Sequence, residues 1–248
     1  MYGRSSAERT VDLHVGTSGY SYKEWKGVFY PEKLPAKEML RYYGEQLNGV
    51  EINNTFYRLP KTSVLENWSD QVPGSFRFSI KASRRITHFT RMKPESREPL
   101  EYLLSTLGVL GPKLGVVLFQ LPPNLKKDSD RLGGFLEMIP EGTPGAFEFR
   151  HESWKDDEVY SLLRDRGMAL VCADTEDSDD DEPIVNTGSW GYLRLRRPGY
   201  SDDDLQRWSR HLSNTGWDTA FVFFKHEDEG AGPRMAARFG EIHAAGTA

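Results

Sequence analysis

Residues 145–151 read Gly145-Ala146-Phe147-Glu148-Phe149-Arg150-His151, an apolar run that becomes charged at its C-terminal end. Residues two apart in a strand share a face, so Glu148 and Arg150 alternate with Phe147 and Phe149. A strand of a parallel sheet that helices cover is expected to be nearly all apolar. The two charges must therefore meet other polar groups or a ligand, because burying an unpaired charge is costly.

Similar stretches recur along the chain and alternate with longer amphipathic segments. The predicted strands are residues 12–19, 49–57, 76–83, 115–122, 145–151, 169–175, 191–196 and 219–227. The predicted helices are residues 36–46, 62–71, 94–110, 129–139, 156–166, 201–213 and 232–243. Alternation of this kind predicts a parallel sheet with helical crossovers. We predict one α/β domain over residues 1–248, a TIM-like (β/α)8 barrel of parallel strands with a polar N-terminal tail at 1–10; an open doubly wound sheet is the alternative.

Composition sets the limits of the fold and of the function. A length of 248 residues suits a barrel of about 250 residues. The single cysteine, Cys172, excludes an intrachain disulfide, and the apolar runs are too short to span a bilayer. Residues 1–10 lack the apolar core of a signal peptide, so we expect a cytoplasmic protein with no membrane partner. The net charge of −5 indicates that any anion-binding surface is local.

Polar residues follow the same pattern at several predicted strand ends, and the C-terminal face of a barrel is where active sites lie. The candidate catalytic residues are the carboxylates Glu51, Glu148 and Asp174. The candidate ligand-binding residues are Ser18, Asn53, Lys81, His88, Gln120, Arg150, His151, Arg194, Arg196 and Lys225. The acidic run at residues 176–182 is predicted to be a solvated loop.

Several long motifs resemble a known family. They are Gly16-Thr17-Ser18-Gly19-Tyr20, the stretches 25–31 and 50–60, Ile86-Thr87-His88, Gln120-Leu121-Pro122-Pro123 and the stretch 148–154. The chain resembles the DUF72, or YecE-like, family of TIM-barrel proteins over about residues 15–239. This resemblance implies the barrel fold and supplies no reaction. The chain departs from the commoner family pattern at 192–196, where many members have His-Gly after the arginine, and at 225–228, where asparagines are frequent.

Cations outnumber carboxylates among these candidates, which favours an anionic ligand at the barrel mouth. Arginine presents a planar fork that suits phosphate or carboxylate, and lysine presents a point charge. We expect the ligand to be an anionic small molecule or a nucleotide, with hydrolysis by acid/base chemistry as the possible reaction. A purely structural ionic network and a non-catalytic module that binds nucleic acid or protein are the alternatives.

Other chemistries have weaker support in the sequence. Two of the three candidate carboxylates are compatible with glycoside hydrolysis. The same carboxylates together with His151, His226 and Glu227 are compatible with a divalent metal, although the neighbouring cations oppose metal binding. Lys81 is a candidate for forming a Schiff base, since a desolvated strand lysine is nucleophilic. His88 is either a loop-borne acid/base or a capping residue. The sequence identifies no cofactor and no oligomeric state.

Overall fold

The computed structural model describes residues 11–174, 183–225 and 230–246. The predictions for the tail at 1–10, the acidic loop at 176–182, and His226 and Glu227 lie outside the described residues. The strands are β1 (Asp12–Ser18), β2 (Gly49–Ile52), β3 (Arg77–Lys81), β4 (Leu114–Gln120), β5 (Gly145–Glu148), β6 (Ala169–Ala173), β7 (Trp190–Leu195) and β8 (Thr219–Phe224).

All eight strands are parallel and follow chain order around a closed barrel, which confirms the predicted fold class. The barrel closes where β8 pairs with β1, in a register that runs from Asp12 opposite Thr219 to Thr17 opposite Phe224. Closure removes both sheet edges, and it brings the C-terminal ends of all eight strands to one rim.

Helices cover the outside of the barrel. Within the described residues they are α1 (Met39–Gln46), α2 (Thr62–Gln71), α3 (Arg97–Leu107), α4 (Ser129–Met138), α5 (Asp157–Asp165), α6 (Asp202–Ser213) and α7 (Ala231–Gly246). The start of α6 follows from its sequence, because the Ser201 hydroxyl accepts from the Asp204 N–H and the Asp204 carboxylate accepts from the Ser201 N–H. At the start of α5 the Asp156 side chain accepts from the Glu158 N–H. No helix in the described part of the chain is long and apolar enough to cross a membrane.

The core has two parts, one on each face of the sheet. The larger part lies between the strands and the helices and includes Phe119, Phe147 and Phe135. The smaller part fills the barrel lumen and comprises Val116, Leu118, Ala146, Ala169, Val171, Tyr192, Phe221 and Phe223. Because side chains alternate across a strand, the residues two positions after these lumen side chains also face inward, at the C-terminal rim.

Several predicted strands are too long at their C-terminal ends. Strand β2 ends at Ile52 and not at residue 57, and residues Asn54–Phe56 form a 3-10 helix. Strand β5 ends at Glu148, the last residue that pairs with β4, and its pairing with β6 stops one residue earlier, at Phe147. Parallel strands separate where they enter their loops, so Asn53, Arg150 and Lys225 project from loops and not from strands.

Gly191 in β7 provides a test of the packing between this strand and Trp217. A Cβ at this position would lie 2.0 Å from the ring of Trp217, which is 2% exposed. We expect Gly191→Ala to lower the free energy of unfolding by at least about 1–3 kcal/mol, because the core cannot accept the added carbon without displacing the indole. Gly188→Ala is the matched control, since a Cβ there meets nothing within 4 Å. Urea denaturation measures both, and equal effects of the two substitutions would contradict the observed packing.

Candidate functional site

Arg194 connects two buried carboxylates across the barrel lumen. Its Nη2 donates to Glu51 Oε1 at 2.7 Å, and its Nη1 donates to Glu148 Oε2 at 2.5 Å. The three side chains are 4%, 0% and 3% exposed, so water does not screen these ion pairs. The planar fork of arginine suits this task, because its two terminal nitrogens point to different acceptors.

Glu51, near the end of β2, is surrounded by donors. Its Oε1 also accepts from the Ser18 hydroxyl at 2.7 Å and from Asn53 Nδ2 at 3.0 Å, and its Oε2 accepts from the Tyr192 hydroxyl at 2.7 Å. Burial by itself would raise the pKa of Glu51, but the Arg194 guanidinium and the hydrogen bonds from Tyr192 and Ser18 outweigh it and lower the pKa. Glu51 is therefore a carboxylate anion at neutral pH.

Glu148, at the end of β5, accepts from three further side chains. Its Oε2 accepts from Gln120 Nε2 at 2.8 Å, and its Oε1 accepts from Arg196 Nη2 at 2.5 Å and from Arg150 Nε at 3.3 Å. Burial would raise the pKa of Glu148, but the charges of Arg194, Arg196 and Arg150 hold it well below its usual range. Glu148 is therefore an anion that three guanidinium groups share.

Lys81, at the end of β3, is bonded to an amide and not to a carboxylate, unlike the arginines. Its Nζ donates to Gln120 Oε1 at 2.8 Å and lies 4.5 Å from the centre of the Phe56 ring. Burial and then the positive charge of Arg194 lower the pKa of Lys81 to about 8, although the Glu51 and Glu148 charges oppose the shift.

A cavity of about 210 Å³ opens above this network at the C-terminal rim. Eight of the predicted site residues line it: Ser18, Asn53, Lys81, Gln120, Arg150, Arg194, Arg196 and Lys225. The predicted carboxylates Glu51 and Glu148 hydrogen-bond to its lining side chains from the lumen. The barrel thus brings together residues from seven different strands or their loops.

Besides Glu51 and Glu148, which lie beneath the cavity, three predicted residues are not among those that line it. Asp174 accepts from the Arg196 backbone N–H and from the Tyr200 hydroxyl; burial raises its pKa, and these two hydrogen bonds oppose the rise. The His88 ring contacts Phe56 edge-on at 4.8 Å, and its Nδ1 hydrogen-bonds with the Thr87 hydroxyl.

His151 is the third residue outside the cavity. Its Nδ1 accepts from the Ser153 backbone N–H, which caps the short 3-10 helix Glu152–Trp154. Its side chain lines a neighbouring cavity of about 440 Å³ that the described residues bound between β5 and β6.

Sequence reasoning does not select Tyr192, although its hydroxyl contacts both Glu51 Oε2 and the Ser79 hydroxyl, the latter at 2.6 Å. The signal that could have found it is spacing, since Tyr192 lies two residues before Arg194 and shares its strand face. Among the described residues, no group of three His, Cys, Asp or Glu side chains is arranged to hold a metal ion.

Replacing one buried carboxylate tests the network. We expect Glu148→Gln to lower the free energy of unfolding by about 3–5 kcal/mol, because it leaves the buried Arg194 and the partly buried Arg196 beside a neutral amide. Glu152→Gln is the matched control: its side chain is 83% exposed and pairs with Lys155, which is also exposed, so we expect a loss below about 1 kcal/mol. Denaturant titration measures both, and a small loss in Glu148→Gln would show that the network contributes little stability.

The lowered pKa of Glu148 also predicts a pH dependence. A carboxyl group with a lower pKa in the folded than in the unfolded chain contributes stability above its unfolded value of 4.5, and this contribution declines as the pH falls toward the folded value. We therefore expect the difference in unfolding free energy between the wild type and Glu148→Gln to be constant above about pH 5 and to shrink below pH 4.5. A difference that stays constant down to pH 3 would contradict this assignment.

The sequence is similar to those of known proteins. A family model described as "Protein of unknown function DUF72" matches residues 14–247. UPF0759 protein YecE of Escherichia coli (strain K12) is 27% identical over 169 residues, which is 66% of this chain and 59% of that protein. UPF0759 protein YunF of Bacillus subtilis (strain 168) is 27% identical over 189 residues, which is 71% of this chain and 63% of that protein. The chain thus spans about three-fifths of the length of these curated relatives.

Solved structures agree with these sequence matches. A DUF72 family protein from Thermotoga maritima is similar with a TM-score of 0.79 and 26% identity, over 93% of this chain and 98% of that chain. A second DUF72 family protein, from Enterococcus faecalis, has a TM-score of 0.78 at 16% identity, over 94% and 95% of the two chains, and it supports the fold alone. Because the family model matches almost the whole sequence and the fold agrees, the chain belongs to the DUF72 family.

Proposed function

We propose that the mouth of the barrel binds a small anionic molecule that carries a phosphate or carboxylate group, which includes nucleotides. One observation carries the proposal. Five cationic side chains line the cavity or its rim, whereas the network beneath it holds two carboxylates; the cations are Lys81, Arg150, Arg194, Arg196 and Lys225.

The two carboxylates only partly compensate these cations. Both are bonded to Arg194, and Glu148 is shared with Arg196 and Arg150. Like charges gathered in a poorly solvated mouth repel each other, so an anion that enters the mouth is attracted more strongly than in bulk water. The excess of positive charge is local, because the whole chain carries a net charge of −5.

The dimensions of the cavity limit the ligand. Its volume of about 210 Å³ is below the usual range for sites that hold drug-sized molecules, roughly 300–1,000 Å³. It suits a compact anion or the charged group of a larger ligand. Arg150 and Lys225 are exposed at its rim, where they can meet an incoming anion first.

Hydrolysis by Glu51, Glu148 and Asp174 has less support than binding. A general acid or base needs a pKa near the working pH, and burial among arginines holds the pKa of Glu148 well below that range. The oxygens of Glu51 and Glu148 already accept from several buried donors. We therefore assign both residues to holding the arginines in place and not to proton transfer.

Removal of one rim cation tests the proposal. We expect sulfate and phosphate to raise the melting temperature of the wild type with a saturable dose dependence, since a ligand that binds the folded state stabilises it. Arg150→Met should weaken the apparent affinity by at least about tenfold, because a charge-assisted hydrogen bond contributes roughly 1.5–3 kcal/mol. Arg150 is the suitable target because its side chain is 39% exposed and Glu148 keeps two other arginine partners.

Arg131→Met is the matched control, since Arg131 pairs with Asp128 at the start of α4 and is not among the residues that line the cavity. A similar response of the wild type, Arg150→Met and Arg131→Met would indicate a non-specific salt effect. Variation of ionic strength with sodium chloride separates site binding from general screening.

A second candidate function, the binding of single-stranded nucleic acid, is favoured by an exposed cluster beside the mouth. Tyr57 and Phe89 are 69% and 66% exposed, and the Arg84 guanidinium lies 5.4 Å and 5.3 Å from their ring centres. Aromatic rings interleaved with cations suit the stacking of bases. Titration of the wild type, Arg84→Met and Tyr57→Ala with a short single-stranded oligonucleotide distinguishes the two candidates: tight binding by the wild type that both substitutions abolish would favour this one.

A further inference from the structure

We propose that Lys81 is an amine nucleophile that condenses with the carbonyl carbon of a small anionic oxo compound, such as a 2-oxo acid, held in the mouth of the barrel. This inference rests on the proposed anion-binding function and names the substrate class. It is carried by the position of Lys81 in the cavity and by the partners that surround its Nζ atom.

The side chain that accepts a hydrogen bond from Lys81 is a neutral amide, whereas the arginines of the network bond to carboxylates. Among the described residues no carboxylate oxygen lies within 4.0 Å of the Lys81 Nζ, which donates instead to the Gln120 amide oxygen. An amide oxygen accepts a hydrogen bond from a neutral amine as well as from an ammonium ion. The local structure therefore does not require Lys81 to be charged.

The surroundings raise the fraction of Lys81 that is neutral above that of an ordinary lysine. Lys81 is half-buried, and Arg194 and Arg150 add positive charge near its Nζ. The face of Phe56 and the two carboxylates favour the ammonium ion, but burial and the arginines outweigh them and the pKa falls to about 8. Lysines that are desolvated beside another cation are the ones that form Schiff bases with carbonyl substrates.

The amine is also held in place. Gln120 Nε2 donates to Glu148 Oε2, which orients the amide so that its oxygen faces Lys81. On the other side, the backbone carbonyl oxygen of Lys81 accepts from the Thr55 hydroxyl at 2.7 Å. A fixed nucleophile close to bound substrate lowers the entropic part of the barrier.

The step balances without an oxidant or a reductant. The Nζ lone pair attacks the carbonyl carbon, a C–N bond forms, and the carbonyl oxygen takes up the displaced electron pair and a proton from the nitrogen. The resulting carbinolamine loses this oxygen as water, with one further proton. In total, one lysine ammonium and one carbonyl give one protonated imine and one water. The substrate's carboxylate offsets the charge of the imine, which is the reason for an anionic substrate.

Reductive trapping tests the inference. The purified protein is incubated with pyruvate and sodium cyanoborohydride at pH 8, digested and analysed by mass spectrometry. We expect the peptide that contains Lys81 to gain the mass of one pyruvic acid minus one oxygen atom at least about tenfold faster than the peptides that contain surface lysines, since a lysine in a model peptide has a pKa of about 10.4. The control Lys61→Met removes an exposed lysine at the start of α2, and its Lys81 peptide should be labelled at the same rate as in the wild type. Lys81→Met should lack this adduct.

Three comparisons separate this inference from the proposed function. Lys81→Arg keeps the charge, so sulfate should still raise its melting temperature while the adduct disappears. A wild type that sulfate stabilises but pyruvate does not label would overturn the role of Lys81 and leave the anion site intact. Equal labelling by pyruvate and by neutral acetone would overturn the anionic substrate class. Labelling that is equal across all lysines would overturn the inference as a whole.

Discussion

The bridge from Arg194 to Glu51 and Glu148 is the interaction on which the upper half of the barrel depends. These three groups come from β7, β2 and β5, which are far apart in sequence and converge only because the sheet is closed. Removing charges from water costs several kcal/mol for each ion, and only close pairing with further hydrogen bonds repays that cost. The donors around both carboxylates, from Ser18 to Gln120, supply those bonds.

The side chains that fill the lumen change from apolar to polar along the barrel axis, because the buried charges at the C-terminal end need polar partners. In its lower part the lumen is filled by apolar side chains such as Val116, Ala146 and Phe221, packed as in an ordinary core. Two residues further along the strands, toward their C-terminal ends, the inward positions are occupied by Gln120, Glu148 and neighbouring polar groups. Tyr192 joins the two levels, because its ring packs on Phe223 while its hydroxyl donates to Glu51. The polar network therefore packs against the apolar residues that fill the lower lumen.

The two kinds of cation in the mouth have different electrostatic settings, and this difference shapes the proposed chemistry. The arginines share carboxylates and so stay charged and fixed, whereas Lys81 is bonded to a neutral amide. An arrangement of this kind holds an anion with its permanent charges and leaves one amine near its point of titration. Both the binding and the reactivity that we propose come from a single network, since Glu148 links Arg194 to the Gln120 amide that holds Lys81.

The sequence by itself determined the barrel and most of the rim residues. The alternation of strand and helix patterns, and charged residues such as Glu148 and Arg194 at apolar strand ends, are local properties that a linear pattern records. Strand ends were less predictable, because pairing between neighbours decides where β2 and β5 stop. Only the tertiary structure decided which charges meet: it joined Glu51 to Arg194, placed Asp174 with Tyr200 instead, and left Lys81 with an amide. The physical reason is that pKa values and ion pairs depend on distances between side chains across the lumen, and the spacing of residues along the chain does not determine those distances.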